Sequence, residues 1–535
     1  LREVGLSAMG TRGAGGNCSR KEVLQELESN IDSDSRRRNE RQSGYISGDS
    51  YLRDARGIEF VVEGRETLPE VVQARVNSME DQMYSGFLSD LNLAWVSVDD
   101  TICLWLPSPQ DGPRPPPCSK TCKDYVLAVA LVKPDPKREY NCDGMPQYFL
   151  AVALRECVQL FKLDVTDTEI SVQDTAIEIA VESYVKCMLS TPTGRLFVGC
   201  NDGGVYELHY EEDDVSLSSF WHPRKFRKTS CKGRFERMLA LVQFSETEPV
   251  VDMCFDPTRH YLYALTAKGS ESRNTKEDIL KNTTIHVYSL TSNDGKGDGT
   301  IAPSHLCSSN LVKVDVHGTL SRSNDVLDKD VLSMHPVIYS EDERAHLVLV
   351  TASGCRIYLT FNSSLQVSHI LSAPWPSETS QGGYAVSGLS SSRARCCTYW
   401  NGLFFLGCDS AVHCVAKKSG GMAGQQDCRE VVQAIRANQL TQDPQGGSLE
   451  LWQIAEMTTG GRVGRVGTVT DVWGPGMSGG TRAEPESVNE QWTQHGCAPR
   501  RFICIGAREV IIIHRLQPWE KLRALSAEYG SPRAP

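Results

Sequence analysis

The chain has 535 residues, a formal net charge of −11, 40% hydrophobic residues and 23% charged residues. The hydrophobic content is that of an ordinary globular protein and excludes wholesale disorder, whereas the acidic balance argues against a general nucleic-acid binder, because phosphate backbones are held by clustered Lys and Arg. A chain of this length exceeds the size at which one compact core stops growing, so it should hold several domains or one repetitive, quasi-circular domain.

The N-terminal residues 1–55 are polar and rich in Ser and Arg, and we expect them to form a disordered tail. They include one short amphipathic candidate, Lys21 to Ile31, and a basic run from Arg36 to Arg38. A solvated tail explains this run better than a localisation signal does, because short basic runs match by chance. The sequence has no stretch of about 18 consecutive apolar residues and therefore predicts no membrane-spanning helix.

From about residue 90, a recurring unit of two apolar runs separated by a short polar or Gly-containing turn is typical of a β-hairpin. The clearest turn is Asp202-Gly203, since a type I′ turn needs positive φ. The seven copies are Leu93 to Leu106, Tyr148 to Leu163, Leu196 to Tyr210, Tyr261 to Leu290 with a polar insertion, Leu347 to Phe361, Leu403 to Val415 and Phe502 to Leu516.

Strands that follow strands with almost no helical periodicity exclude a doubly wound α/β sheet. Seven similar hairpins favour an all-β, seven-bladed β-propeller over a sandwich, because radial repetition leaves only short, protected sheet edges. The repeat is longer than the roughly 40 to 45 residues of a compact blade, so long loop insertions are expected. They are Pro107 to Cys122, Gly269 to Asn282, Ser292 to Ser309 and Lys417 to Pro499, the last with a possible helix at Arg429 to Asn438 and a strand at Leu449 to Met457.

The residues that could carry chemistry form no recognisable catalytic or metal-binding pattern. The 19 cysteines are scattered through strand-like runs, and the adjacent pair Cys396 and Cys397, like the other close groupings, lacks CxxC spacing. The 12 histidines form no H-E-x-x-H pair, and Gly474 to Gly480 lacks the Lys-Ser/Thr of a phosphate-binding loop. We therefore expect no enzyme, metal, cofactor or small-molecule substrate, and free thiols in a reducing compartment.

The strongest candidate site is an amphipathic segment, Ser230 to Phe244, which would place apolar and charged residues on opposite faces of a helix. The apolar residues are Phe235, Met238, Leu239, Leu241 and Val242, and Arg234 and Arg237 lie on the polar side. Such a helix can lie in a lipid headgroup layer, and a basic run upstream would attract anionic lipid. A blade strand over Leu239 to Phe244 or a core helix stays an open alternative, because amphipathic runs are more often core than interface.

Several short segments consist largely of strand and turn residues, so none of them identifies a family by itself. The order in which they follow one another along the chain is specific. They are Leu68 to Glu70, Met83 to Gly86, Leu93 to Asp99, Ile102 to Trp105, Leu127 to Pro134, Gly194 to Gly199, Asp202-Gly203, Tyr206 to Leu208, Gln243 to Glu246, His514 to Pro518 and Leu522-Arg523. In this order they resemble the N-terminal β-propeller of the non-repetitive/WGA-negative nucleoporin family, the large inner-ring scaffold nucleoporins of the nuclear pore. The resemblance spans roughly residues 68 to 525 and departs in the loops.

After the tail that the composition of residues 1–55 predicts, the resemblance implies a propeller over residues 56–516 and the start of an α-helical solenoid over residues 517–535. It implies a structural scaffold of the inner ring that supports pore assembly and nucleocytoplasmic transport. The implied partners are other inner-ring and linker nucleoporins, pore-membrane proteins and the curved nuclear envelope membrane, reached through Ser230 to Phe244, with no nucleic acid among them. An outer-ring nucleoporin or a vesicle-coat subunit is the alternative, because these also join a propeller to an α-solenoid.

Overall fold

The structure is a computed structural model, and it describes residues 44–46, 52–53, 59–107, 114–133, 148–210, 226–230, 248–267, 283–291, 303–310, 331–339, 341–371, 394–400, 402–409, 411–417, 430–436, 450–457, 500–521 and 523. Within these ranges the chain is almost entirely β-structure, arranged in seven separate sheets. None of the helices in these ranges is long and apolar enough to cross a membrane.

The described residues before blade 1 form three strands on the outside of the propeller, followed by one short helix. These elements are β1 (Gly44–Ile46), β2 (Leu52–Arg53), β3 (Phe60–Thr67) and α1 (Glu70–Asn77). The helix buries Val72, which packs with Leu68 against side chains of the first and last blades. A 3-10 turn, Ser89–Leu91, connects the first two strands of the next sheet.

Blades 1 to 3 follow in chain order, and each is a four-stranded antiparallel sheet. Blade 1 holds β4 (Met83–Leu88), β5 (Leu93–Val98), β6 (Thr101–Trp105) and β7 (Cys118–Thr121). Blade 2 holds β8 (Ala128–Val132), β9 (Tyr148–Ala153), β10 (Cys157–Val165) and β11 (Ile170–Ala180). Blade 3 holds β12 (Val185–Ser190), β13 (Leu196–Cys200), β14 (Val205–Tyr210) and β15 (Phe226–Ser230).

Blades 4 to 7 repeat this meander. Blade 4 holds β16 (Val250–Asp256), β17 (Tyr261–Ala267), β18 (Thr283–Ser289) and β19 (Ser304–Asn310). Blade 5 holds β20 (Val331–Pro336), β21 (Leu347–Thr351), β22 (Arg356–Phe361) and β23 (Leu365–Leu371). Blade 6 holds β24 (Ala394–Trp400), β25 (Leu403–Cys408), β26 (Ala411–Lys417) and β27 (Glu430–Arg436), and blade 7 holds β28 (Leu451–Met457), β29 (Arg501–Gly506) and β30 (Glu509–Arg515).

The first strand of each blade is the innermost, and the seven inner strands close a ring. Each inner strand contacts that of the next blade, and β28 of blade 7 contacts β4 of blade 1. The fourth strand of blade 7 is β3 from the N-terminal end, which pairs antiparallel with β30. The predicted seven-bladed β-propeller is therefore confirmed, and each predicted hairpin forms the second and third strands of one blade.

The apolar alternation of the strands is explained by packing between neighbouring blades. One core cluster joins Trp95 of blade 1 to Phe161 of blade 2, and another joins Phe405 of blade 6 to Phe502 of blade 7, with ring centroids 4.0 Å apart. Because both faces of a blade are covered by its neighbours, the second strands β5, β13, β21 and β25 are buried along their whole length.

Several segments that the sequence predicts as loops contain outer strands. The predicted loops Pro107 to Cys122 and Ser292 to Ser309 contain β7 and most of β19. The possible helix at Arg429 to Asn438 is wrong, because its residues form β27, paired with β26 along its whole length. The strand predicted at Leu449 to Met457 is confirmed as β28.

Two strands fall within residues 1–55, which the sequence predicts to be a tail. The strand β1 pairs in parallel with β23 of blade 5, and β2 pairs in parallel with β27 of blade 6. Together with β3 in blade 7, these segments run along the outer edges of three consecutive blades. At the other end, residues 518–521 are helical, and the predicted start of an α-solenoid over residues 517–535 stays a prediction.

Candidate functional site

One face of the ring carries both the connections between blades and the turns between the second and third strands, and we call it the connection face. The turns are Asp99-Asp100, Arg155-Glu156, Asp202 to Gly204, Ser353-Gly354, Asp409 and Ala507-Arg508. Backbone hydrogen bonds fasten the connections to the turn region: the Leu127 N–H donates to the Ala153 carbonyl at 2.8 Å, and the Ala394 N–H donates to the Ala352 carbonyl at 2.9 Å.

On blade 1, a single carboxylate organises the connection that follows α1. The Asp99 carboxylate accepts the backbone N–H groups of Glu80 at 2.9 Å, Asp81 at 3.0 Å and Gln82 at 3.0 Å. Asp99 has φ 52°, a left-handed conformation that Asp tolerates in turns. The hydrogen bonds from Glu80 and Gln82 lower the pKa of Asp99, so the connection is held by an ionised group at neutral pH.

On blade 3, the turn at Asp202 fastens the connection that precedes β12. The Asp202 carboxylate accepts the Gly204 N–H at 2.8 Å and the Tyr206 hydroxyl at 2.6 Å, and Gly203 supplies the φ of 69° that the turn requires. The pKa of Tyr206 is raised, mainly by burial and to a smaller extent by the hydrogen bond to Asp202. Nearby, the Asn201 N–H donates to the carbonyl of Tyr184, whose side chain is 55% exposed.

Five consecutive inner strands carry a β-bulge at the same place, close to the connection face. The register of β12, β16, β20, β24 and β28 shifts by one residue after the first paired position. The residues without a partner in these ladders are Lys186, Val251, Leu332, Arg395 and Trp452. Since a bulge re-aims side chains, the mouth of the ring presents side chains that a regular strand would direct elsewhere.

The sequence-predicted membrane site, Ser230 to Phe244, lies almost wholly outside the described residues. Its candidate residues Arg234, Phe235, Arg237, Met238, Leu239, Leu241 and Val242 all fall there. The described residues that flank it are Ser230 at the end of β15 and Glu248 just before β16. Because β15 is the outer strand of blade 3 and β16 is the inner strand of blade 4, both flanks lie at the connection face.

A polar cluster joins the inner strands of blades 5 and 6. The Ser333 Oγ lies 2.8 Å from the His335 Nε2 and 2.7 Å from the Cys397 Sγ, and the Cys397 Sγ lies 3.7 Å from the same His335 nitrogen. These residues come from β20 and β24, the inner strands of two adjacent blades, which are in contact although they are far apart in the sequence. Their sequence spacing gave no signal that could have found the cluster.

A half-buried carboxylate joins blade 4 to this cluster. The two oxygens of Asp252 accept the N–H of Met253 and the N–H of Met334, each at 2.8 Å. Met334 lies on β20, between Ser333 and His335, so Asp252 satisfies a backbone donor on the inner edge of the next blade. Burial raises the pKa of Asp252 to about 7.

The cluster combines a thiol, an imidazole and a hydroxyl, but their environment does not activate the thiol. Burial raises the pKa of Cys397 to about 12 and lowers the pKa of His335 to about 4, so both are neutral at physiological pH. A nucleophilic cysteine needs the opposite shift of the thiol. Among the described residues, no group of three or more His, Cys, Asp or Glu side chains is placed to hold a metal ion. The cluster therefore ties blades 4, 5 and 6 together.

Comparison with known proteins gives matches over more than half of the chain. The chain is 23% identical over 308 residues to a probable nucleoporin of Schizosaccharomyces pombe, covering 56% of this chain and 21% of that protein. It is 22% identical over 310 residues to the nuclear pore complex protein Nup154 of Drosophila melanogaster, covering 56% and 20%. The chain thus spans about a fifth of the length of these relatives.

Among solved structures, the fold matches the crystal structure of the Chaetomium thermophilum Nup170 NTD–Nup53 complex with a TM-score of 0.68 and 17% sequence identity. The match covers 96% of this chain and 70% of that chain. The match confirms the propeller architecture. At this sequence identity it is evidence for the fold and not for a function. The nucleoporin family model described as Nup133 N terminal like matches residues 60–397. Since this range spans blades 1 to 5 and reaches into blade 6, the chain belongs to the Nup133 N-terminal-like nucleoporin family.

Proposed function

We propose that the chain is the N-terminal β-propeller of a scaffold nucleoporin in the inner ring of the nuclear pore, where it supports pore assembly and nucleocytoplasmic transport. The observation that carries the proposal is the family match over residues 60–397, which falls on consecutive blades of a closed ring. A scaffold needs a rigid body with many independent surface loops. A ring of seven blades meets that need, because each connection can vary while the packed core stays fixed.

The proposed mechanism is multivalent binding through the connection face. Several weak contacts on one rigid body give high avidity without any single tight site. The Nup170 N-terminal domain of Chaetomium thermophilum was crystallised in a complex with Nup53, which supports other nucleoporins as partners of this chain. Pore-membrane proteins complete the proposed set of partners, and localisation at the nuclear envelope follows from them.

Membrane contact through Ser230 to Phe244 is the second part of the proposal. The flanks of this segment lie at the connection face, which supports presentation of an amphipathic helix away from the ring. Apolar residues such as Phe235 and Leu239 would then enter the headgroup layer, and Arg234 and Arg237 would face lipid phosphates. The contact would be peripheral and would add to the avidity of the protein contacts.

Affinity purification of the tagged protein from isolated nuclear envelopes tests the proposal. Recovery of inner-ring nucleoporins together with pore-membrane proteins is the expected result. Recovery of outer-ring nucleoporins or vesicle-coat subunits alone would overturn the inner-ring assignment while leaving the family assignment in place. A tagged variant with an internal deletion of residues 231–247 separates the two parts of the proposal, because it should keep the nucleoporin partners and lose the membrane contact.

A further inference from the structure

We propose that the part of the connection face formed by α1 and blades 1 to 3 is a docking surface for a cationic, apolar segment of another protein. The inference rests on the proposed function, because it names one surface through which the scaffold would bind. We call this surface the tyrosine patch. It consists of Val71, Met79, Tyr84, Tyr125 and Tyr184.

The tyrosine patch exposes large side chains that a monomeric surface usually keeps covered. The exposed fraction is 55% for Tyr184, 45% for Met79, 44% for Val71 and 40% for Tyr84. Tyrosine, methionine and arginine are enriched in protein interfaces, because they give a large contact area with a polar end. The Arg155 guanidinium lies 4.1 Å from the centroid of the Tyr125 ring, so the patch includes a stacked cation and aromatic ring as well.

Backbone hydrogen bonds hold the elements of the patch together as one rigid surface. The Leu68 N–H, just before α1, donates to the Arg508 carbonyl of blade 7 at 3.2 Å. The Val126 N–H, beside Tyr125, donates to the Asp99 carbonyl at 2.9 Å, and the Val181 N–H donates to the Glu156 carbonyl at 2.9 Å. A surface fixed in this way loses little conformational entropy when a partner binds.

The charge around the patch determines the chemistry of the partner. Its exposed carboxylates are Glu70, Glu80, Asp81, Glu156 and Glu182, and its exposed cations are Arg75, Lys123, Arg155, Lys186 and the neighbouring Arg508. Lys123 forms an ion pair with Glu178, and Arg155 lies 3.7 Å from Asp124, so two further carboxylates already offset two of the five cations and leave three cations against five carboxylates. The negative surplus attracts Lys and Arg of a partner and repels an anionic bilayer, which favours a protein segment over a membrane as the occupant.

Fluorescence anisotropy with the full chain tests this inference. The probe is a short labelled peptide that alternates Lys and Leu, and its counterpart alternates Glu and Leu. Two variants address the patch: Met79→Ser with Tyr184→Ser removes apolar contacts, and Glu80→Gln with Asp81→Asn and Glu182→Gln removes charge. The matched control is Tyr339→Ser, since Tyr339 is 53% exposed and lies between β20 and β21 on the opposite face.

The expected result is that the Lys-Leu peptide binds, that each patch variant weakens binding about tenfold or more, and that the control leaves it unchanged. Added salt should weaken binding to the wild type more than to the charge variant. Equal losses in the control, equal binding of the Glu-Leu peptide, or displacement of the Lys-Leu peptide by anionic vesicles from the variant that lacks residues 231–247 would overturn the inference. Pore localisation of the patch variants, followed separately by fluorescence, reports on the proposed function, so the two can fail independently.

Discussion

The side-chain amide of Gln433 pairs with both backbone polar groups of Phe60. The Phe60 N–H donates to the Gln433 Oε1 at 2.8 Å, and the Gln433 Nε2 donates to the Phe60 carbonyl at 2.7 Å. Gln433 lies on the outer strand of blade 6, and Phe60 begins the strand that completes blade 7. The amide thus makes the two backbone hydrogen bonds that a neighbouring strand would make. It fixes β3, the strand that completes blade 7, to blade 6.

Replacing this amide should destabilise the ring. In Gln433→Leu, two buried backbone groups of Phe60 lose their partner, and each unsatisfied group costs about 1 to 3 kcal/mol. We expect the free energy of unfolding to fall by about 2 kcal/mol or more in urea titrations. The matched control is Gln366→Leu on the outer strand of blade 5, because Gln366 is exposed. Equal stability of the two variants would show that Gln433 does not secure closure.

The buried ion pair between Asp256 and Arg259 should contribute far more to stability than an exposed pair. Arg259 donates to Asp256 at 2.8 Å and also to the carbonyls of Val337 at 2.7 Å and Asp342 at 3.0 Å, which fastens blade 4 to blade 5. Because Asp256 is fully buried, Arg259→Leu leaves an uncompensated charge, and we expect a loss of about 3 to 5 kcal/mol.

The comparison for that variant is Arg395→Leu, which breaks the exposed pair of Arg395 with Asp409. Both side chains of this pair are more than half exposed, so we expect a loss below about 1 kcal/mol. Calorimetric melting of the two variants under the same conditions measures the difference. If Arg395→Leu loses as much stability as Arg259→Leu, Arg259 does not hold blades 4 and 5 together more strongly than an exposed ion pair would.

The hairpins were predictable from the sequence because the second and third strands of each blade are the most buried. Leu196 to Tyr210 and Phe502 to Leu516 show apolar runs and a turn signal without any tertiary information. The outer strands lack that signal. Cys118–Thr121 and Ser304–Asn310 are polar, since an outer strand faces solvent, and Glu430–Arg436 has a helix-forming composition that pairing with β26 overrides.

The candidate site was less accessible to sequence reasoning. The sequence singles out Ser230 to Phe244 by its amphipathic pattern, but the position of its flanks at the connection face depends on the order of strands in the blades. The polar cluster of Asp252, Ser333, His335 and Cys397 was missed altogether. Its members belong to three consecutive blades, so only the packing of neighbouring inner strands brings them together.

Two members of the polar cluster should give stability opposite dependences on pH. The pKa of Asp252 is raised by burial to about 7, so between about pH 4 and pH 7 the folded chain holds a proton that the unfolded chain has lost, and stability falls as pH rises. The pKa of His335 is lowered by burial to about 4, so between about pH 4 and pH 6.5 the unfolded chain holds the extra proton, and stability increases with pH.

Single substitutions should separate these two slopes. In His335→Gln, only the contribution of Asp252 remains of these two. The free energy of unfolding should then fall as pH rises, by up to about 1.4 kcal/mol per pH unit. In Asp252→Asn, only the contribution of His335 remains, and the free energy of unfolding should increase by a similar amount as pH rises. Urea unfolding at a series of pH values measures both, and Asp167→Asn, in an exposed turn, is the control. Slopes that match the wild type in both variants would show that neither Asp252 nor His335 sets the pH dependence of stability.

Membrane contact by the segment Ser230 to Phe244 predicts a loss of vesicle binding when its apolar face is charged. In Phe235→Asp with Leu239→Asp, two carboxylates would have to enter the headgroup boundary, so flotation with small vesicles should fall to the level without lipid. The control is Tyr339→Asp, an exposed position on the opposite face. Unchanged flotation of the double variant, with folding verified by circular dichroism, would favour the alternative that the segment is a strand or core helix.

The inner-ring position that we propose for this propeller can be measured on isolated nuclear envelopes. The measurement is immunogold electron microscopy of spread nuclear envelopes, with the label attached to the N-terminal end of the chain. For an inner-ring protein we expect gold at the pores, close to the midplane of the envelope and equally distributed on both sides of it. Gold confined to the cytoplasmic and nuclear outer rings, or found away from the pores, would contradict the inner-ring position.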